Sequence, residues 1–139
     1  MKYIGAAEAR DKLSQVINEV AYGNQRYTVE RRGQPLAVLV SVPDYQSLVG
    51  LLSEAGVRSE IHAIPVHVRF DGERFFVNDD RFDLHGEGPT LDAARNDYWL
   101  ALQDYHADLQ ADAGRLAPYL AQHLAQLTPI LAAAESEAE

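Results

Sequence analysis

The spacing of the apolar residues changes twice in the N-terminal part of the chain, and this limits the folds open to it. Lys2–Ile4 is expected to form a short strand. After Gly5 the apolar residues recur at steps of three and four, which predicts a helix with one apolar face. These residues are Ala6, Ala9, Leu13, Val16, Ile17 and Val20. Gly23 is expected to end this helix.

Two strand-like segments and another helix follow. Arg26–Arg32 and Leu36–Ser41 are rich in β-branched and aromatic residues, and Gly33-Gln34-Pro35 lies between them. A β-hairpin with those three residues as its turn is therefore expected. Pro43 suits the first position of a helix, which we expect to end at Gly56.

A second unit is expected after Arg58-Ser59-Glu60, which we interpret as the domain boundary. Ile61–Phe70 and Arg74–Val77 flank Asp71-Gly72, a strong signal for a hairpin turn. Phe82–Leu84 is expected to add a third short strand. The prediction is an α+β chain with one domain over 1–58 and another over 59–139.

Helices are expected to complete the second unit. Gly86-Glu87-Gly88-Pro89 interrupts the chain, and Thr90 then suits the N-cap of a helix that runs to about Asp112. Another helix is expected from about Leu116 to Leu127. The small and acidic residues Ala132–Glu139 are expected to fray.

Charge is unevenly distributed along the 139 residues, whose net charge is -9. From Met1 to Arg58 the seven Lys and Arg residues outnumber the six acids, whereas from Ser59 onward five Arg face fifteen acids. This asymmetry suggests different partners for the two parts.

Several classes of protein are disfavoured by the residue types. The chain has no cysteine, which excludes disulfides and thiolate metal sites. No apolar run approaches a membrane span or a signal peptide, so we expect a cytoplasmic protein. His62 and His67 are five residues apart and would face opposite sides of one strand. We expect no metal, no cofactor and no enzymatic activity.

The N-terminal segments together resemble a known family. IGAAEARDKLSQVINEV, then Gly23, then YTVERRGQPLAVLVSVPDYQSL resemble, in order and spacing, the prevent-host-death (Phd/YefM) antitoxins of toxin-antitoxin systems. The resemblance covers about the first 52 residues. It departs at Ala7, where the family often has Ser or Thr.

The resemblance implies a homodimer, with possible higher-order assembly, that binds operator DNA and represses its own operon. It also implies that the C-terminal part binds a cognate toxin. The arginines corresponding to Arg10 and Arg31 contact DNA in this family. Family members usually have a C-terminal segment that orders only on the toxin, whereas Ile61–Leu127 is expected to be ordered by itself.

The residues themselves agree with a role in DNA binding. A guanidinium group can grip a phosphate or donate two hydrogen bonds to a guanine edge. Arg10, Arg31 and Arg32 are therefore the candidate DNA-binding residues, although two arginines at a hairpin tip are also a common solvated feature. A different hypothesis is a regulator without a toxin, or an interaction adaptor, on the same dimer scaffold.

The second unit has candidate partner-binding residues. These are Tyr98, Trp99, Leu102, Tyr105, Leu116 and Leu120. The aromatic rings could anchor an interface or form the core of the unit. Two groups of acids could face solvent, a metal or a basic partner, such as the cationic site of an RNA-cutting toxin that an acidic surface would fill by mimicking nucleic acid. These groups are Asp79, Asp80 and Asp83, and Asp97, Asp104, Asp108 and Asp112.

Overall fold

The computed structural model describes residues 1–138 and contains two compact units. Unit 1 is Met1–Gly50, and unit 2 begins at Leu51. Both units combine helices with a sheet, so the predicted α+β class is confirmed. The division at Gly50 lies inside a helix, and the expected domain limit at residue 58 stays a prediction.

Unit 1 has the predicted order of strand, helix, hairpin and helix. Its elements are β1 (Lys2–Gly5), α1 (Ala6–Asp11), α2 (Leu13–Tyr22), β2 (Tyr27–Arg31), β3 (Gln34–Leu39) and α3 (Val42–Glu54), the last of which continues past Gly50. The sheet has the order β1-β2-β3. β1 is parallel to β2, and β2 is antiparallel to β3. The core consists of five buried residues, Ile4, Ala9, Val16, Val20 and Tyr27.

Two details of unit 1 differ from the prediction. The first helix is kinked at Lys12, whose φ of -113° and ψ of 22° leave the helical region, so α1 and α2 are separate. The hairpin turn is Arg32-Gly33, with φ values of 53° and 75°, and not Gly33-Gln34-Pro35. Two consecutive left-handed residues match the twist of the paired strands, and Pro35 is tolerated because β3 is an edge strand.

Unit 2 packs helices on an antiparallel sheet. The elements are β4 (Val57–Ile61), β5 (Ile64–Phe70), β6 (Phe75–Asn78), β7 (His85–Gly88), α4 (Leu91–Ala111), a 3-10 turn (Ala113–Arg115) and α5 (Pro118–Ala138). The strands follow the order β4-β5-β6-β7. Eleven buried apolar residues, among them Ile64, Leu102 and Leu127, form the core.

The prediction of one strand over Ile61–Phe70 is wrong. His62 and Ala63 have φ values of 47° and 66° and form a tight turn between β4 and β5. The expected boundary at Arg58-Ser59-Glu60 consequently falls inside β4. His62 lies in this turn, so the argument that it shares a strand with His67 is also wrong.

The strand predicted at Phe82–Leu84 is replaced by β7, which is formed by the glycine-rich stretch that we expected to break the chain. A Cβ atom at Gly86 would lie 2.2 Å from the backbone nitrogen of Tyr98, and one at Gly88 would lie 2.6 Å from Cβ of Ala93. These glycines allow β7 to pack directly on α4.

The ends of the two long helices show one confirmed and one wrong prediction. Thr90 caps α4, because its Oγ1 accepts a hydrogen bond of 3.1 Å from the backbone nitrogen of Ala93. The last helix does not end at Leu127 but continues to Ala138. Ile130 and Leu131 pack against the core, and this tertiary contact supports a segment that the composition alone predicts to fray.

Candidate nucleic-acid interface

The parallel pairing of β1 and β2 brings two arginine-bearing segments to the same edge of the unit 1 sheet. Gly5 at the end of β1 is the register partner of Glu30 in β2. Helix α1 starts directly after Gly5, and the hairpin turn starts directly after Arg31. Because parallel strands end at the same side of a sheet, α1 and the turn leave from neighbouring positions.

Arg10 lies in the last turn of α1, about 7 Å of helical rise beyond Gly5. Its side chain is 78% exposed, and its Nε lies 3.3 Å from Oδ1 of the adjacent Asp11. An exposed ion pair of this kind contributes little free energy. The guanidinium group can therefore exchange Asp11 for an external anion at small cost.

Arg31 and Arg32 project from the tip of the hairpin, and both are exposed. Arg31 ends β2 and is the register partner of Gln34. Arg32 occupies the left-handed first position of the turn. Within residues 1–138 neither guanidinium group forms an ion pair, so both keep their full donor capacity for a phosphate or a base edge.

Two other cations of unit 1 are paired with acids. Lys12 Nζ lies 3.1 Å from Oε1 of Glu8, and Arg26 Nε lies 2.7 Å from Oδ2 of Asp44. Among residues 1–138, the Lys and Arg side chains of unit 1 without an ion pair are Lys2, Arg31 and Arg32, and two of these three lie at the hairpin tip. A local cationic surface thus exists on a chain whose net charge is strongly negative.

A hydrogen bond joins α2 to Tyr27, the first residue of the hairpin strand β2. The Tyr27 hydroxyl donates to the Glu19 carboxylate. This bond lowers the pKa of Glu19, and it raises the pKa of Tyr27, because it favours the ionised carboxylate and the neutral phenol.

Unit 1 also exposes an unusual amount of apolar surface for its size. Ten large apolar residues are exposed, namely Met1, Tyr3, Leu13, Ile17, Tyr22, Leu36, Val38, Val42, Tyr45 and Leu48. An apolar cavity of about 180 Å³ lies among residues of α2, the end of β3 and the start of α3, including Ile17, Val20 and Leu39. Apolar surface on this scale is typical of an interface.

The candidate partner-binding residues of unit 2 divide into two groups. Tyr98 and Leu102 are 0% exposed and offer no surface to a partner. Trp99, Tyr105, Leu116 and Leu120 are only partly buried and pack at the margin of the core. Any docking surface built from these six residues is therefore limited to the second group.

Sequence reasoning missed the role of Asp79, which was grouped with surface acids. Asp79 is 2% exposed, and its Oδ2 accepts a hydrogen bond of 2.7 Å from the Tyr98 hydroxyl. It also accepts bonds from the backbone nitrogens of Phe82 and Leu84. Burial and this bond raise the pKa of Tyr98. Asp79 is a structural group of the core, and the Asx-type spacing to Phe82 was the available signal.

Other kinds of site find no support among residues 1–138. The helices described there lack the length and apolar character that crossing a membrane requires. That part of the chain has no group of three or more His, Asp or Glu side chains arranged to hold a metal ion.

Comparison with known proteins shows which family the N-terminal part of the chain matches. Residues 1–59 match a family described as Antitoxin Phd_YefM, type II toxin-antitoxin system. The N-terminus is of the Phd/YefM antitoxin type. The resemblance inferred for about the first 52 residues is thus confirmed.

Two individual proteins are also similar to the chain. A 48-residue stretch is 38% identical to Antitoxin RelB of Mycobacterium tuberculosis (strain ATCC 25618 / H37Rv), and it covers 34% of this chain and 54% of that protein. The chain thus spans about half the length of the curated relative it matches. A crystal structure of the antitoxin part of a candidate toxin/antitoxin system from Syntrophomonas wolfei subsp. wolfei aligns with 94% of this chain and 88% of its own, at 20% identity and a TM-score of 0.43.

Proposed function

We propose that this protein is the antitoxin of a type II toxin-antitoxin system, which binds operator DNA as a homodimer through unit 1 and a cognate toxin through unit 2. It acts as a regulator and not as an enzyme. The Phd/YefM-type N-terminus supports the antitoxin class. The observation that carries the DNA-binding part is that α1, which bears Arg10, and the turn next to Arg31 and Arg32 leave the sheet from neighbouring positions.

The homodimer is supported by the apolar surface of unit 1. Five buried apolar residues form its core, while ten large apolar residues remain exposed. A second copy that covers part of this surface would complete the core. Two-fold symmetry would also present two sets of arginines to a duplex, as dimeric DNA-binding proteins do at paired half-sites.

DNA binding is tested by fluorescence anisotropy with duplex DNA from directly upstream of the gene. Arg10→Ala and Arg31→Ala should each weaken binding by about 1–3 kcal/mol if the arginine contacts a base edge. Loss of a phosphate contact should instead reduce the salt dependence by about one counterion. Arg115→Ala is the matched control, since Arg115 is an exposed arginine of unit 2 that forms no ion pair within residues 1–138.

Two outcomes would contradict this part of the proposal. Binding to the upstream duplex could be no tighter than to unrelated DNA, or Arg115→Ala could weaken it as much as Arg31→Ala. Either result would make the hairpin arginines ordinary surface charges. It would favour an interaction adaptor built on the same scaffold.

Toxin binding is tested by coexpression with a toxin-sized reading frame adjacent to the gene. The full chain should restore growth that the neighbouring product arrests, and the two proteins should copurify. A chain that neither restores growth nor copurifies would favour a transcriptional regulator without a toxin.

A further inference from the structure

A groove on unit 2 is formed by α4, the start of α5 and the segment before β7. It has a volume of about 580 Å³, within the range of specific ligand sites. Its apolar walls are Leu84, Ala101, Tyr105, Leu109, Leu116 and Leu120. We call it the α4–α5 groove.

One rim of the α4–α5 groove is a row of acids. Asp104, Asp108 and Asp112 line it. Asp104 and Asp108 are four residues apart on one side of α4, about 6 Å along the axis, and Asp112 is the residue at the C-terminal end of this helix. Like charges at this spacing weaken a helix. Within residues 1–138 no Lys, Arg or His forms an ion pair with any of the three.

Hydrogen bonds between the two helices hold the groove in shape. The Tyr105 hydroxyl oxygen lies 2.6 Å from Nδ1 of His123, and His106 Nε2 lies 3.1 Å from Oγ1 of Thr128. Both bonds join α4 to α5. A groove that is formed before binding loses less conformational entropy when it is filled.

The charge pattern decides which kind of occupant fits. Apolar walls beside a row of acids are complementary to a helix with one apolar face and with Lys or Arg residues along the edge of that face. The chain itself has no such helix among the described residues, since α2, α3 and α5 contain no Lys or Arg, α4 contains only Arg95, and α1 has only six residues with Arg10 as its single cation. A second copy therefore lacks the complementary charges.

We infer that the α4–α5 groove binds a basic amphipathic helix of the toxin. The apolar side chains of this helix would lie against the apolar walls of the groove, and its cations would lie against Asp104, Asp108 and Asp112. This inference rests on the proposed function for the identity of the partner. It assigns toxin recognition to a surface that is already folded.

The first test uses a synthetic peptide, held helical by a side-chain staple, with Leu at steps of three and four and Lys at steps of four. Its fluorescence anisotropy is measured against the full chain. Asp104→Asn/Asp108→Asn/Asp112→Asn should weaken binding about tenfold, the combined effect of three exposed ion pairs. The matched control, Glu73→Gln/Asp80→Asn/Glu135→Gln, makes the same change in net charge at exposed positions outside the groove and should weaken binding less than about twofold.

A second variant tests the groove by filling it. Ala101→Arg adds a long side chain to a partly exposed wall position on α4, where Arg is nearly as good a helix former as Ala. Peptide binding should be lost while the thermal unfolding temperature is unchanged or higher. This combination separates occlusion of the groove from loss of the fold.

Three outcomes of the peptide-binding experiments would overturn the inference. The peptide could fail to bind, it could bind the groove and control variants equally, or its counterpart with Glu in place of Lys could bind as well. A groove variant that dissociates a homodimer in sedimentation velocity would show a second copy in the groove and would also overturn it.

The growth assay distinguishes a failure of this inference from a failure of the proposed function. If the full chain does not restore growth but the peptide binds as expected, the toxin assignment fails and the groove chemistry stands. If the wild-type chain restores growth and the triple aspartate variant restores it equally well, toxin binding stands and the groove inference fails.

Discussion

Units 1 and 2 make different use of their apolar residues. Unit 1 buries five and exposes ten large ones, whereas unit 2 encloses eleven in a core and exposes five. Unit 2 covers its sheet with α4 and α5, but α3 has no buried residue. A unit of about 50 residues buries a smaller fraction of its surface than a larger unit does, and the apolar surface that unit 1 leaves exposed is the surface that the proposed dimer would cover.

The largest effect is expected where β7 packs on α4. Gly86→Ala should destabilise unit 2 by about 3 kcal/mol, the upper part of the range for overpacking, because the new Cβ would meet the backbone of Tyr98 at 2.2 Å. Urea unfolding followed by the fluorescence of Trp99 reports on unit 2 alone, since Trp99 is the single tryptophan. Gly114→Ala is the control, because nothing lies within 4 Å of its Cβ position. Equal effects of the two variants would contradict close packing of β7 on α4.

A somewhat smaller effect is expected at the buried carboxylate. Asp79→Ala should destabilise unit 2 by about 2 kcal/mol, because it leaves the Tyr98 hydroxyl and the Phe82 backbone nitrogen without their acceptor. Urea unfolding followed by the fluorescence of Trp99 should detect this loss of stability. Asp80→Ala changes the exposed neighbour and should shift the free energy of unfolding by less than about 0.5 kcal/mol. A larger loss of stability in Asp80→Ala than in Asp79→Ala would contradict the structural role of the Asp79 carboxylate.

Dilution should lower the stability of unit 1 and leave that of unit 2 unchanged. If a second copy completes unit 1, each tenfold dilution of a largely dimeric sample removes about 1.4 kcal/mol of stability per dimer, or about 0.7 kcal/mol per chain, as mass action requires. Hydrogen exchange of peptides from residues 13–40 should then quicken, and that of peptides from residues 91–111 should not. Leu48→Asp should remove the concentration dependence. Protection of unit 1 that is independent of concentration in the wild-type chain would show that its small core suffices.

The smallest effect concerns the hydrogen bond between Tyr27 and Glu19 in unit 1. The pKa of Glu19 is lowered in the folded state, so its contribution is present above the ordinary carboxyl range and is lost as pH falls through the lowered pKa. The pKa of Tyr27 is raised, so its contribution is complete below the ordinary tyrosine pKa and is lost as pH rises past it. Tyrosine near-UV circular dichroism during thermal unfolding can follow both losses.

Variants of these two residues provide the control for the pH series. Glu19→Gln should flatten the acid limb and Tyr27→Phe the alkaline limb. Trp99 fluorescence, which reports on unit 2, should show neither change. Persistence of the acid limb in Glu19→Gln would assign it to another carboxylate.

Local patterns in the chain were sufficient to predict much of the fold. The helical spacing of residues 6–20, the β-branched segments around the first hairpin, Asp71-Gly72 and the Thr90 cap all lie where predicted, because each depends on contacts between residues close in sequence. The order of segments also sufficed for the Phd/YefM resemblance. The resemblance indicated Arg10 and Arg31 as candidates for DNA binding, and the chemistry of the guanidinium group added the adjacent Arg32.

Only the tertiary structure decided the rest, because the deciding partners are distant in the chain. β7 is a strand since Gly86 and Gly88 let it approach α4, and Asp79 is buried since Tyr98, nineteen residues later, supplies a donor. The helix beyond Leu127 persists because Ile130 and Leu131 meet the core. The neighbouring departure of α1 and the arginine turn likewise follows from the parallel register of β1 with β2. Composition and periodicity describe a residue and its near neighbours, and burial depends on what the fold places against them.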